Sequence, residues 1–272
     1  MLRAIITSIA FTSLPVMAGA QQADLLKALQ IDRVMTVMAA EGMKDGQQLR
    51  ETLLPTIPAT RWKAALSDIY DTEEMGQSFE ATFLAELGAS SGTTAPMLEF
   101  FASDLGTKIV TAELDARQAL LDDAAEDRAR LTVDEMQAKG DPRLGQLQAF
   151  AEANDLIEMN VAGALNASFA FSRGLQSAGG FDAAVTEQDL LSEAWAQESL
   201  IRSETEAWLY PYLVTAYAGL TAQELDAYTA FCRSSEGRTL NAALFAGFDD
   251  MFRTISYDLG RLTGRQINGR DI

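Results

Sequence analysis

The chain has 272 residues, 21 Lys and Arg against 39 Asp and Glu, a formal charge of −18, one Cys and no His. That charge opposes binding to nucleic acid, which rewards Lys and Arg on phosphate, and to anionic lipid surfaces. Without His the commonest general base and transition-metal ligand are missing, so neither a Ser-His-Asp nor a Cys-His centre can be built, and no cofactor or metal is expected.

The N-terminus reads as a secretory signal. Arg3 supplies a positive charge, an apolar run extends from Ala4 to about Val16, and Ala18-Gly19-Ala20 places small residues where a signal peptidase cuts. The run is shorter than the roughly 20 apolar residues of a transmembrane helix. Cleavage after Ala20 is expected, which gives a periplasmic chain starting at Gln21 with no integral membrane segment. The lone Cys232 lies beside Phe231 in an apolar stretch and is expected to be a buried thiol.

Beyond the signal the apolar spacing is helical nearly throughout. Leu26, Leu29, Val34, Val37 and Met38 fit one helix face. Trp62, Leu66, Ile69 and Tyr70 fit another, continued after a break by Phe79, Phe83 and Leu87. Near the C-terminus Leu244, Phe248, Met251, Ile255 and Leu259 step by three or four. Pro55 and Pro58 interrupt the first third, and residues 87–96 and 174–181 read as loops. Lys139-Gly140-Asp141-Pro142 is the expected mid-chain joint, and Thr221 with Glu224 forms a capping-box start. No alternation of period two points to a strand. The fold class expected is all-α: a signal at 1–20, then two diverged helical-bundle repeats, 21–140 and 141–272, packed together.

The repeat rests on an ungapped shift of 131. It places Phe79 on Tyr210, Phe83 on Val214 and Met97 on Tyr228, then Phe100, Ser103 and Gly106 on Phe231, Ser234 and Gly237. In Phe-x-x-Ser-x-x-Gly, Phe is expected as a core anchor and Ser as a cap after a local break. Gly should let another backbone approach. The stretch Leu220-Thr221 to Glu224-Leu225, followed by Phe231, Ser234, Gly237 and Arg238, resembles the family called domain of unknown function 2059. That is a set of small, usually exported helical bacterial domains with a Phe-(Tyr)-x-Ser-Pro-x-Gly-(Lys) signature. Phe100-Phe101-Ala102-Ser103-Asp104-Leu105-Gly106-Thr107-Lys108 resembles the same signature, with Asp104, like Ser235 in the second stretch, where the family has Pro. The resemblance implies a helical fold and export, and no activity.

Other groups of residues point less clearly to chemistry. Gly88-Ala89-Ser90-Ser91-Gly92 has nucleophile-elbow spacing but lies between helices in a chain without His. Asp122, Asp123, Glu126 and Asp127 read as a solvated helix face with Arg128 and Arg130, and Asp249-Asp250 reads the same way. Met35, Met38 and Met43 read as a core stripe. Trp208, Tyr210 and Tyr212 are core by default and a ligand groove otherwise. The segment from Arg261, with Arg265 and Arg270, is a basic tail.

The function expected is that of an exported, non-catalytic binding or scaffolding protein. Its partner would be an envelope protein or an apolar ligand held between or within the two copies. The alternatives are an enzyme using carboxylates alone on envelope glycans, which needs two partly buried acids in a cleft, and a structural envelope protein acting through oligomerisation.

Overall fold

The computed structural model describes residues 14–89, 94–181 and 184–269, with side chains from Ala20 onward apart from that of Ala89. Among the described residues there are thirteen helices and no strand. The first seven are α1 (Leu14–Ala28), α2 (Ile31–Leu53), α3 (Ala59–Ile69), α4 (Thr72–Ala89), α5 (Ala95–Phe101), α6 (Asp104–Ala119) and α7 (Asp123–Lys139). The others are α8 (Pro142–Ala153), α9 (Leu156–Ser177), α10 (Glu187–Ala196), α11 (Glu198–Ala216), α12 (Ala222–Arg233) and α13 (Ser235–Ile267). The all-α class expected from the spacing is what the chain adopts. None of these helices is long and apolar enough to cross a membrane. The first 13 residues of the expected signal lie outside the described residues, and α1 runs through the Ala20–Gln21 junction.

The helix ends have local causes. Asp141 accepts from the Arg143 N–H, Pro142 stands in the first turn of α8, and the preceding Gly140 has φ +62°, a left-handed stop for α7. Thr186 with Asp189 and Thr221 with Glu224 close capping boxes on α10 and α12. Three boundaries differ from the sequence reading. Leu26 to Met38 is two helices, because Gln30 takes φ 51° and turns the chain between α1 and α2. Gly174 lies inside α9 rather than in a loop. Arg261 and Arg265 belong to α13 rather than to a tail, while Arg270 lies outside the described residues.

Packing follows the same order in both halves. α1 lies on α5 and α2 on α3 and α4; α8 lies on α12 and α9 on α10 and α11. Gln30 before α2 and Asp155 before α9 are the non-glycine residues with positive φ among those described. Between halves, α4 lies on α13 and α11 on α6. The halves therefore do not bury separate cores. One apolar cluster runs from Leu25 through Phe79, Phe83 and Phe101 to Tyr217, Cys232 and Ile255. A smaller one joins Leu54, Trp62 and Leu66 to Leu262, and the Trp62 indole donates to Gly46 O at 2.8 Å. Burying each such large side chain contributes about 1.5–3 kcal/mol.

α9 and α13 run parallel. Asn241 donates to Asn154 O at one end of the pair, and Asn268 donates to Ala178 O at the other. A Cβ added at Gly174 would sit 2.0 Å from Tyr257 O, and one at Gly260 2.0 Å from Phe171 O. Only glycine lets these backbones come so close.

Burial corrects part of the 131-residue shift. Phe79, Phe83 and Leu87 are buried on α4, and the buried residues spaced alike on α11 and its end are Leu209, Leu213 and Tyr217. Leu209, not Tyr210, therefore takes the place of Phe79. From Met97 and Tyr228 onward the shift of 131 holds for burial, through Phe101 with Cys232 and Ile109 with Leu240. The second half takes up the extra residue between Tyr217 and Tyr228, which the apolar stripes alone could not reveal.

Candidate functional site

Ser103 caps α6 and Ser234 caps α13 in the same way. Ser103 Oγ donates to Phe100 O at 2.6 Å and accepts from Gly106 N–H at 3.1 Å. Ser234 Oγ donates to Phe231 O at 2.6 Å and accepts from Gly237 N–H at 3.0 Å. Each hydroxyl ties the end of one helix to the start of the next. A Cβ at Gly106 would fall 2.2 Å from Phe100 O, and one at Gly237 2.1 Å from Phe231 O. The spacing of the motif now has a cause: the Phe carbonyl meets the Ser hydroxyl and leaves no room for a side chain at Gly. The approaching backbone is that of the preceding helix, not of a distant element.

The Phe rings differ from the expected buried anchors. Phe100 and Phe231 are half-buried and stack on each other, with centroids 4.1 Å apart and planes 14° from parallel. The neighbouring Phe101 and Cys232 are the enclosed residues. Burial pushes the Cys232 thiol up to about 12, so it is an unreactive packing group. The two joints thus meet ring to ring, with Tyr228 stacked beside Phe100 at 5.8 Å. Lys108 Nζ reaches both Glu224 oxygens, at 2.7 and 2.8 Å, so the basic residue after the first Gly docks on the capping box of the second half. With that cation and the Thr221 amide as partners, the Glu224 carboxyl is held down at about 2.

Next to the joints lies a polar cluster that the sequence reading missed. The Tyr217 hydroxyl at the end of α11 donates to Glu113 of α6 at 2.6 Å, and Tyr228 of α12 also hydrogen-bonds Glu113. Burial raises the Glu113 carboxyl to about 7, against the lowering effect of the two phenols. One turn on, Arg117 Nε donates to Glu41 of α2 at 2.7 and 3.0 Å. Its guanidinium lies 5.7 Å from the centre of the Trp208 ring, and Trp208 stacks on Tyr212 at 5.1 Å. Burial also pushes the Tyr212 phenol upward, with Glu113 adding to the effect. The spacing of Glu113 and Arg117 on one helix face was the available signal, but their partners come from both halves of the chain.

The proposed aromatic groove divides. Trp208 and Tyr212, four residues apart, share a face. Tyr210 points elsewhere, where Glu206 and Glu152 act on its phenol. Met35 and Met38 are core, and Met43 packs at the smaller cluster. Of the acidic run, Asp122 caps α7, Asp123 binds Lys44 and Glu126 pairs with Arg130. No group of three metal-ligating side chains occurs among the described residues. Ser90, Ser91 and Gly92 lie outside the described residues. A cavity of about 280 Å³ lies between α3, α4 and α13, over Met75, Met251, Ile255 and Leu262, with Asp68 and Arg265 at its edge.

These elements define an all-α protein whose halves interlock through matched helix–Ser–helix joints. Residues 73–137, spanning most of α4 to α7 and the first joint, match the family described as uncharacterized protein conserved in bacteria, domain of unknown function 2059. The resemblance carried by Phe100 to Lys108 is borne out for that segment, and the match does not extend to Phe231–Gly237. No curated protein and no solved structure matches the chain.

Proposed function

We propose that this is an exported, non-catalytic binding or scaffolding protein of the cell envelope, made of two diverged copies of one helical unit. The observation that carries the binding reading is an outward one. The joints and the Glu113 cluster satisfy their polar groups internally, whereas large apolar side chains such as Trp195, Leu191, Leu200 and Leu131 stand on the surface. Apolar side chains that stand together on a surface mark interaction sites, and Leu191 and Trp195 lie one turn apart on α10. The cavity over Met75 and Met251 lies where α4 of one half meets α13 of the other, which suits the alternative of a small apolar ligand between the copies. Duplication is supported by the matched joints, by Gln30 and Asp155 at equivalent turns and by the order of helix contacts. Export is supported by the Arg3 to Ala20 pattern.

Mild crosslinking in intact envelopes tests the binding reading: a stoichiometric adduct is expected, and its absence under several crosslinker lengths would remove it. Intact mass of the periplasmic material tests export, with a chain beginning at Gln21 expected. A second reading, an enzyme using carboxylates alone, rests on Glu113 of α6, whose carboxyl burial raises to about 7 beside Tyr217. Envelope glycan turnover lost in Glu113→Gln with the fold intact would establish it over the binding reading.

A further inference from the structure

The cavity between α3, α4 and α13 has an apolar floor, with Met75 of α4 and Ile255 and Leu262 of α13 all buried. On its rim Asp258 and Arg261 pair with each other at 2.9 Å. Asp68 of α3, Glu74 of α4 and Arg265 of α13 also line it. The side chains of these three make no ion pair or hydrogen bond among the described residues. Opposite charges thus share one cavity without closing on each other.

The free Arg265 is unusual in this chain, because it is half-buried. The other half-buried arginines among the described residues, Arg33, Arg50, Arg117, Arg143 and Arg202, each reach a carboxylate or a carbonyl. With 39 acidic residues against 21 basic ones, partners are abundant. Asp68 is equally out of place. It stands in the last turn of α3, where there is no basic residue. The carbonyls of a last turn lack helical partners and carry partial negative charge. Asp68 adds to that charge instead of offsetting it, so this wall attracts a cation while Arg265 attracts an anion.

We propose that this cavity binds a small apolar zwitterion, an apolar amino acid or dipeptide. Its ammonium meets Asp68 and Glu74, its carboxylate meets Arg265, and its side chain lies on Met75, Ile255 and Leu262. This rests on the small-ligand alternative raised above and gives that ligand a chemical class. A plain anion would face two free acids, and a plain cation would leave Arg265 unanswered and repel it. The volume of about 280 Å³ lies at the lower edge of the roughly 300–1,000 Å³ of small-molecule pockets, which suits a few heavy atoms rather than a lipid chain. An apolar floor with a few convergent polar groups is the usual composition of such a site, and an arginine suits a carboxylate because its fork can bind both oxygens.

The test is isothermal titration calorimetry of the purified chain with leucine, phenylalanine and Leu-Leu at millimolar concentration, and binding is expected. Leucinamide lacks the carboxylate, N-acetyl-leucine the ammonium and serine the apolar side chain; each should bind about tenfold more weakly than leucine. Arg265→Gln should weaken leucine about tenfold without weakening leucinamide, and Asp68→Asn should weaken leucine without weakening N-acetyl-leucine. Both variants should keep the melting temperature of the free chain, since neither side chain has a protein partner, so a loss of binding is not a loss of fold. No binding of any of the three ligands overturns the inference. So does equal binding of leucine by the parent and both variants, or tighter binding of octanoate or octylamine than of leucine, which would make this a site for a simple anion or cation. Envelope crosslinking separates this outcome from the fate of the protein-partner reading. An adduct without leucine binding removes the cavity ligand alone, and leucine binding without an adduct removes the protein partner alone.

Discussion

The joint at Ser103 and the joint at Ser234 use the same three contacts, yet the helices they start differ twofold in length: α6 has 16 residues and α13 has 33. The cap cannot cause that difference, because both caps are the same. What differs is the partner. α6 ends at Leu120 and turns into α7. α13 continues along α9, whose Gly174 admits the Tyr257 carbonyl while Gly260 admits that of Phe171. Local chemistry starts a helix; a long complementary neighbour decides how far it runs.

The largest effect should come from the glycines. Gly106→Ala and Gly237→Ala each drive a Cβ into a carbonyl oxygen of the preceding helix. Each should cost about 3 kcal/mol or more in urea unfolding, at the upper end of what overpacking costs. A marked inequality between the two would break the equivalence of the joints. The stacked rings come next. Phe100→Ala or Phe231→Ala should each cost about 2–3 kcal/mol, below the value for a wholly buried Phe. A double-mutant cycle should return a coupling of about 1 kcal/mol. Zero coupling would mean that the halves are held together elsewhere.

Glu113 distinguishes the halves by pH, since the position 131 residues on is Leu244, which carries no carboxyl. Its folded value of about 7 lies above the ordinary 4.5. The native state therefore holds the proton more tightly between these values, and stability falls as pH rises from about 4.5 to 7, by about 3 kcal/mol. Chemical denaturation of Glu113→Gln should lose that slope. Below about 4.5 the trend reverses, because carboxylates held low by partners, Glu224 and Glu158 among them, must take up protons. The smallest effect belongs to the caps: Ser103→Ala and Ser234→Ala should each cost about 1 kcal/mol in the same unfolding assay, and by equal amounts.

The all-α class, the Ser caps, the capping box at Thr221 and the turn at Gly140 were legible in the sequence. Each depends on residues within a few positions of one another, where hydrogen-bond geometry and helical period leave little choice. The family signature at Phe100 to Lys108 is equally local, being a bridge between two consecutive helices. The polar cluster was not legible. Glu113 and Arg117 look like ordinary surface charges until Tyr217, Tyr228 and Glu41 arrive from elements 76 to 115 residues away. Trp208 and Tyr212 gained a role through Arg117, and Tyr210 lost one by facing away. Gly174 of α9 read as the start of a loop because a missing side chain suggests a turn when no neighbour is in view. Tertiary structure decided these features because burial, and the value of a charge, depend on what stands opposite, and spacing along one chain does not carry that information.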